Sequence, residues 1–196
     1  MKEHTNIQTY KQSYSNSCGA ASLLCAAVEL GASNIRLNMD TDCEKDIYQK
    51  ITNSSINSDP NTWGISKPSD IVRVARLLGL NATVVCYKTW AVAFQRFIFP
   101  NEMKILKEMN AYKKIDASFS LYDPSYGERE LKVLISRSAR NFGSMHYVMC
   151  RPDSSIMDPG LGKNREDIFN TKYDNNMHGA GVSILLSRGQ LGVLSY

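Results

Sequence analysis

The stretch from Gln12 to Leu30 reads QSYSNSCGAASLLCAAVEL, and its composition changes from polar to apolar at Cys18. Ser17 is a suitable N-cap and Gly31 a suitable end, so the pattern predicts a helix over Ser17–Leu30. The amino end of a helix carries about half a positive charge and free N–H groups, and both favour a thiolate. The position of Cys18 therefore favours a reactive thiol, although a small apolar residue at the start of a core helix is the ordinary alternative.

Length and composition exclude several classes of protein. The chain has 196 residues, of which 43% are hydrophobic and 21% charged, as in ordinary globular domains. A formal net charge of +4 does not require a nucleic acid or a membrane as partner, and we expect neither. Five cysteines are too few for a disulfide-stapled miniprotein, and their odd number leaves at least one without an intrachain disulfide.

The beginning of the chain carries no targeting segment that the sequence reveals. Residues Met1–Ser17 are polar throughout, and apolar stretches such as Ala82–Tyr87 are much shorter than the roughly 20 residues that span a bilayer. We therefore expect a soluble protein that is cytoplasmic or is secreted without a cleavable signal peptide.

Helices are predicted before strands along the chain. The predicted helices are Ser17–Leu30, Asp42–Ile51, Ser69–Leu78 and Asn101–Lys113. The predicted strands are Ala82–Tyr87, Glu130–Ser136, His146–Arg151, Ile156–Asp158, Val182–Leu186 and Leu191–Leu194. This order indicates an α+β fold in which an N-terminal helical half packs on a C-terminal antiparallel sheet. Without a linker or an internal repeat, one domain is expected over residues 1–196.

Two later segments carry the side chains that a reactive thiol needs. His146 stands at the start of an apolar stretch, and Asp158 precedes Pro159 and Gly160. Each alone has an ordinary structural role, because histidines in apolar strands are mostly structural and Asp before Pro-Gly usually forms a turn. In the order cysteine, histidine and aspartate, they supply a nucleophile, a base and a carboxylate that orients the base.

These segments resemble the papain-like cysteine peptidases. In that superfamily a glutamine six residues before the cysteine supplies an oxyanion-hole amide, and Gln12 stands six residues before Cys18 (18 − 12 = 6). The run Cys18-Gly-Ala-Ala, the His146 strand and the Asp158-Pro strand are most similar to the C39-like branch of bacteriocin-leader peptidases and bacterial effector proteases. The resemblance implies a papain-like fold. It also implies that Cys18 is the nucleophile, His146 the base, Asp158 its orienting carboxylate and Gln12 an oxyanion donor.

The middle of the chain departs from that branch. Residues from about 89 to 131 have no counterpart there, and the gap from Cys18 to His146 is long at 128 residues (146 − 18 = 128). We interpret 89–131 as an insertion within the domain and expect it to influence the choice of substrate. Because no transporter segments follow, the resemblance is to a free-standing enzyme or effector rather than to the peptidase half of an exporter.

The triad implied by the resemblance sets a condition on the predicted hairpin. Side chains alternate between the faces of a strand, so His146 and Asp158 share a face only if paired residue numbers sum to an even number. We therefore expect an odd-length loop or a bulge, for example three residues over 152–154. His146 would then face Gly160, and Asp158 would lie diagonally within reach.

The resemblance implies thiol-dependent acyl transfer, and a cysteine peptidase acting on a protein or peptide substrate is the expected enzyme. A glutamine deamidase or a transglutaminase-like acyltransferase would use the same residues, because these enzymes differ in what reaches the thiol. A catalytically inactive binding module is a third alternative, which the joint presence of all four residues disfavours. The expected substrate contacts are Gly19, Met145 and Trp63, although a packing role is the ordinary one for Trp63.

We expect neither a cofactor nor a metal ion. The five cysteines include no pair at zinc-binding spacing, and His4 and His178 have no histidine or cysteine ligand at zinc-finger spacing. His178 lies in a polar stretch, and we expect it to be an exposed loop residue rather than a second base.

Overall fold

The computed structural model describes residues 8–32, 37–87, 99–116, 124–125, 127–136, 144–166 and 177–189. These residues contain the helices α1 (Cys18–Glu29), α2 (Thr41–Thr52), α3 (Pro68–Leu77) and α4 (Glu102–Glu108), and a short 3-10 helix at Pro60–Thr62. They also contain the strands β1 (Leu80–Tyr87), β2 (Tyr112–Ile115), β3 (Glu128–Ser136), β4 (Met145–Cys150), β5 (Ser155–Asp158), β6 (Lys163–Glu166) and β7 (Met177–Arg188). The predicted α+β class is confirmed.

The strands form one sheet in the order β2-β1-β7-β3-β4-β5-β6. Neighbours in the described sheet run antiparallel, except that β2 pairs with β1 in parallel. The register of β3 on β7 shifts between Lys132 and Leu134, and Gly181 on β7 has a φ of 72°, as expected at a bulge. Strands β4 and β5, which carry His146 and Asp158, lie side by side beyond β3.

Helix α1 is the centre of the helical layer. Every residue from Gly19 to Ala27 is buried, because this stretch is small or apolar on all sides of the helix. The helix packs against α2, α3 and β4, and Ser22 Oγ donates a hydrogen bond to the Tyr147 carbonyl at 3.3 Å. The first residue of α1 is thereby fixed relative to β4.

Helix α2 brings a carboxylate into the interior. Its buried residues share one helix face: Glu44, Ile47, Tyr48 and Ile51. Asp40 caps the helix by accepting a hydrogen bond from the Cys43 N–H at 2.8 Å, and Asn53 ends it with a left-handed φ of 52°. The apolar residues of this face hold α2 on the core, so Glu44 points inward with them.

One predicted helix is shorter in the structure. The pattern predicts a helix over Asn101–Lys113, whereas α4 ends at Glu108 and β2 follows it. Asn110 adopts a left-handed conformation with a φ of 51°, which stops the helix, and Ala111 is buried behind it. The chain then pairs with β1, a partner distant in sequence that a local pattern does not contain.

Other predictions differ in extent or lie outside the described residues. Strand β7 is longer than the predicted Val182–Leu186, and β6 has no counterpart among the predicted strands. His178 is half-buried on β7 opposite Ile135, so its prediction as an exposed loop residue is wrong. The predicted strand Leu191–Leu194 and part of the proposed insertion at 89–131 lie outside the described residues.

Candidate active site

Cys18 is the first residue of α1, and it is half-buried. Ser17 occupies the N-cap position, but its hydroxyl makes no capping hydrogen bond to the helix. That hydroxyl donates instead to the Tyr14 carbonyl at 2.8 Å and to the Glu44 carboxylate. The N–H groups of the first turn therefore receive no side-chain cap from Ser17, and their partial positive charge acts on the surroundings of Cys18.

His146 and Asp158 are joined by a hydrogen bond. His146 Nε2 donates to Asp158 Oδ1 at 2.8 Å. The same oxygen accepts a second hydrogen bond from the Gly160 N–H at 2.9 Å. The two side chains are 20% and 4% exposed, respectively. The carboxylate is therefore oriented by the turn that follows β5, and the bond to the imidazole is largely shielded from water.

The hairpin between β4 and β5 brings these two residues to the same face of the sheet. Met149 pairs with Met157 and Cys150 with Ile156, so the loop comprises residues 152–154. The His146 ring lies 3.2 Å from the position that a Cβ of Gly160 would take. The predicted odd-length loop, with Asp158 within reach of His146, is confirmed.

The protonation of His146 follows from its neighbours. Burial lowers the pKa of His146, but hydrogen bonds to Asp158 and Cys18 and the negative charge of both groups raise it to about 9. Because Nε2 is engaged by Asp158, Nδ1 is the nitrogen left to face Cys18. The imidazole is thus protonated at neutral pH and lies between the carboxylate and the thiol.

Gln12 is held close to these residues. Its main-chain N–H donates to the Pro159 carbonyl at 2.9 Å, which ties it to the residue after Asp158. Its Nε2 donates to the Tyr14 carbonyl at 2.7 Å. Its Oε1 is buried and has no hydrogen-bond partner in the part of the chain that the structure describes. The structure therefore brings Gln12 to the neighbourhood of Cys18, with its amide bonded to its own loop.

A pocket of about 390 Å³ lies beside the thiol. It is lined by Gln12, Cys18, His146, Met145 and Tyr147, among others. Met145 and Tyr147 also line a second pocket, of about 490 Å³, between α4 and the sheet. The walls of this second pocket are mainly apolar. A substrate that reaches Cys18 therefore has an apolar pocket beside it.

The predicted substrate contacts take different places in the structure. Met145 lines the pocket of Cys18, whereas Gly19 and Trp63 are not among its lining residues. A Cβ on Gly19 would lie 2.5 Å from the Ser66 Cβ, so packing requires the glycine. Trp63 is 3% exposed and packs on Tyr48, with ring centroids 5.2 Å apart. The structure thus brings Met145 to the pocket and gives Gly19 and Trp63 packing roles.

Two residues near the site lie outside the predicted set. Glu44 is buried and accepts hydrogen bonds from the segment that leads to Cys18. Ser66 lines the pocket, and its buried hydroxyl has no hydrogen-bond partner within the described ranges. The sequence contains a signal for Glu44, since it lies on the same helix face as Ile47 and Ile51. Nothing in the sequence distinguishes Ser66.

Within the described part of the chain, no group of three or more His, Cys, Asp or Glu side chains is arranged to bind a metal ion. All five cysteines are free thiols. Burial raises the pKa of Cys25 to about 12 and also raises the pKa of Cys43, so both stay protonated at neutral pH. None of the helices formed by the described residues has the length and apolar character needed to cross a membrane.

Comparison with known proteins identifies a family for the chain. The family model of invasion plasmid antigen J, described as a cysteine protease, matches residues 10–189, a range that contains Gln12, Cys18, His146 and Asp158. The chain is 37% identical over 175 residues to the cysteine protease IpaJ of Shigella flexneri. That match covers 79% of this chain and 65% of the relative, so the chain spans slightly less than two thirds of the relative's length. The chain therefore belongs to the invasion plasmid antigen J family of cysteine proteases.

Proposed function

We propose that this protein is a cysteine peptidase that cleaves a protein or peptide substrate at Cys18. The observation that carries the proposal is the imidazole of His146, which lies between the thiol of Cys18 and the carboxylate of Asp158, 2.8 Å from the latter. Membership of a cysteine protease family supports the same activity.

In the proposed reaction the Cys18 thiolate attacks the scissile carbonyl carbon, and His146 holds the proton that the thiol has lost. His146 then gives this proton to the departing nitrogen, so the C–N bond breaks and a thioester remains. Water, deprotonated by the neutral imidazole, hydrolyses the thioester and regenerates the thiol and the free acid. Asp158 keeps the imidazole oriented throughout by accepting the Nε2 hydrogen bond.

We assign the oxyanion of each tetrahedral intermediate to the Cys18 backbone N–H and the Gln12 amide. Gln12 supports this role because it lines the same pocket as Cys18. Its Nε2 has two N–H donors, which face the carbonyls of Tyr14 at 2.7 Å and Ser15 at 3.3 Å. The longer of these two hydrogen bonds is the one that an oxyanion would replace.

The test of the nucleophile is the rate at which iodoacetamide alkylates Cys18 at mildly acidic pH. At about pH 5.5 an ordinary thiol, with a pKa of about 8.5, is almost fully protonated. Cys18 is expected to react much faster than half-buried Cys43 in the same sample, followed by peptide mass spectrometry, and His146→Ala is expected to remove the difference. If Cys18 reacts no faster than Cys43, or if His146→Ala has no effect, the proposal is wrong.

A second experiment decides which acyl transfer occurs. A candidate proteome is incubated with the unsubstituted protein or with Cys18→Ala and analysed by mass spectrometry. New peptide termini support the peptidase, whereas conversion of glutamine to glutamate identifies a deamidase and a new acyl adduct identifies an acyltransferase. If the proteomes treated with the unsubstituted protein and with Cys18→Ala do not differ, and if Cys18 also reacts slowly with iodoacetamide, the protein is a binding module.

We further propose a papain-like fold of the C39-like branch, supported by a cysteine at a helix start that faces a His–Asp pair on adjacent strands. We also propose that the protein is a secreted bacterial effector that acts in the host cytoplasm, supported by the description of its family as an invasion antigen. A fusion to a reporter enzyme that reacts only inside host cells tests this location. A fusion that stays in the bacteria contradicts it.

A further inference from the structure

Glu44 is a buried carboxylate that reaches from α2 to the segment before Cys18, and it has no exposed surface. Its Oε2 accepts hydrogen bonds from the Tyr10 hydroxyl at 2.7 Å and the Ser13 N–H at 2.9 Å. Its Oε1 accepts from the same Ser13 N–H at 3.1 Å and from the Ser17 hydroxyl. Both oxygens are therefore occupied by donors from residues 10–17.

These donors adjoin the residues on which the proposed chemistry depends. Ser13 follows Gln12, and Ser17 precedes Cys18. The N–H of Gln12 itself is bonded to the Pro159 carbonyl at 2.9 Å. Gln12 is thus fixed in two directions, toward the turn after Asp158 by its own bond to Pro159 and toward α2 by the bond of Ser13 to Glu44.

We propose that Glu44 is a positioning residue that holds the Gln12 amide in place beside the nucleophile; this inference rests on the proposed function. Glu44 is not among the residues that line the pocket of Cys18, so it acts through its neighbours rather than on the substrate. Its bond to Ser17 also keeps that hydroxyl away from the first turn of α1, where a cap would compete for the N–H groups.

Glu130 offers a matched control on the sheet. It is also fully buried, and its carboxylate accepts a hydrogen bond from a serine hydroxyl, that of Ser183. It lies on β3 four residues from Leu134, the partner of His146, which is roughly 13 Å along the strand. Glu130→Gln therefore disturbs a similar buried carboxylate without reaching the Gln12 segment.

The experiment compares two reactions of Cys18 in the Glu44→Gln and Glu130→Gln proteins. Acylation by p-nitrophenyl acetate passes through a tetrahedral oxyanion, whereas alkylation by iodoacetamide does not. An amide at position 44 would place an N–H against the donors that surround it, so Gln12 would move. We expect Glu44→Gln to slow acylation by roughly 10–100-fold and alkylation by less than about 3-fold. Glu130→Gln is expected to leave the ratio of the two rates unchanged.

A double-mutant cycle with Gln12→Ala separates positioning from a general structural effect. If Glu44 acts through Gln12, then Glu44→Gln slows acylation by less than about 2-fold once the glutamine is absent. If Glu44→Gln slows acylation by the same factor with Gln12 present and with Gln12→Ala, the proposal is overturned. An equal slowing of acylation and alkylation in Glu44→Gln also overturns it.

Ser17→Ala is the second variant, because it removes one donor and keeps the carboxylate. If circular dichroism shows that Glu44→Gln does not fold, Ser17→Ala carries the test by the same ratio of acylation to alkylation. A lowered ratio that disappears in the Gln12→Ala background supports the proposal. A ratio that stays unchanged when Tyr10→Phe is added to Ser17→Ala, so that both side-chain donors to Glu44 are absent, overturns it. Failure of the proposed function is distinguishable, since it appears as slow alkylation of Cys18 in the unsubstituted protein.

Discussion

Gly19 lies so close to its neighbours that a methyl group there would be 2.5 Å from the Ser66 Cβ and 3.1 Å from Ile71 Cδ1. Alanine in a helix normally stabilises a protein by about 1 kcal/mol over glycine. Overpacking a core costs about 1–3 kcal/mol, which outweighs that gain. The difference between these two values is about 0–2 kcal/mol, so we expect Gly19→Ala to lower the free energy of unfolding in urea by up to about 2 kcal/mol.

The double variant Gly19→Ala/Ser66→Gly tests the reason for this loss. Ser66→Gly removes the Cβ that the new methyl group meets, so the double variant is expected to be more stable than the sum of the two single changes predicts. Strict additivity of the two changes would contradict the steric explanation.

The pKa of His146, raised from 6.5 to about 9, makes stability depend on pH. Because the folded state binds this proton more tightly than the unfolded state, the stabilisation is fully present below pH 6.5 and is lost as the pH rises toward 9. We expect the urea midpoint of the protein to fall across this window and that of His146→Ala to fall much less. Parallel profiles would contradict the assignment.

The same histidine gives a direct titration by NMR. Asp158→Asn removes the hydrogen-bonded carboxylate that raises the pKa of His146, so its imidazole signal is expected to titrate at lower pH than in the unsubstituted protein. An unchanged titration would mean that Asp158 does not act on His146 in solution.

Among the elements, the hairpin of β4 and β5 turns at a residue with a left-handed backbone, Ser154. Ser154 closes the loop with a φ of 65°, and a left-handed conformation costs an L-residue about 1–2 kcal/mol. Ser154→Val is expected to destabilise the protein by about 1–2 kcal/mol in urea, because a β-branched side chain tolerates this φ poorly. Ser154→Gly is expected to retain full stability and normal alkylation of Cys18. Equal stability of the two variants would contradict this explanation.

The elements that sequence predicts well are those whose determinants lie within them. Helix α1 lies within one residue of its predicted bounds at each end, because its cap and stop positions adjoin the apolar stretch. The odd-length loop follows from strand alternation once the resemblance requires His146 and Asp158 to share a face. Strand β2 depends on the edge of β1, where Val84 pairs with Tyr112, and a local pattern extends the preceding helix instead.

In the candidate site, too, contacts within one hairpin are easier to predict from sequence than contacts between distant segments. The approach of His146 to Asp158 is a hairpin contact across 12 residues, which the family resemblance implies and strand alternation makes possible. Glu44 meets Tyr10 across 34 residues, and its partner segment is irregular, so its role appears only in three dimensions. Trp63 packs on Tyr48 of α2, and that helix position cannot be read from the sequence around Trp63.

At the scale of the whole molecule, Glu29 at the end of α1 connects the helical layer to the sheet. It accepts hydrogen bonds at 2.7 Å from both Arg129 and Arg151, whose side chains are only 13% and 5% exposed. Arg151 also donates to the Gln8 carbonyl at 3.0 Å and to Asn164 at 2.9 Å. This network ties α1, β3, β6 and the residues before Gln12 to one another.

Glu29→Gln is expected to destabilise the protein by about 3 kcal/mol in urea, because it leaves two shielded guanidinium groups without their counter-charge. Glu108→Gln is the control, since its pair with Lys104, at 4.0 Å, is exposed on α4. We expect that control to change stability by less than about 0.5 kcal/mol. Equally small effects of both substitutions would contradict the importance of the Glu29 network.

Strand β7 lies in the middle of the sheet, between β1 and β3, although it is the last of the described strands in the sequence. During translation, the two parts of the sheet therefore cannot join until residues 177–188 have left the ribosome. Cys18 is synthesised 140 residues before Asp158 (158 − 18 = 140), and at about 5–20 residues per second this interval is roughly 7–28 s. Throughout this interval the nascent chain carries the thiol without the carboxylate of Asp158, so the proposed cleavage cannot begin before residue 158 has been made.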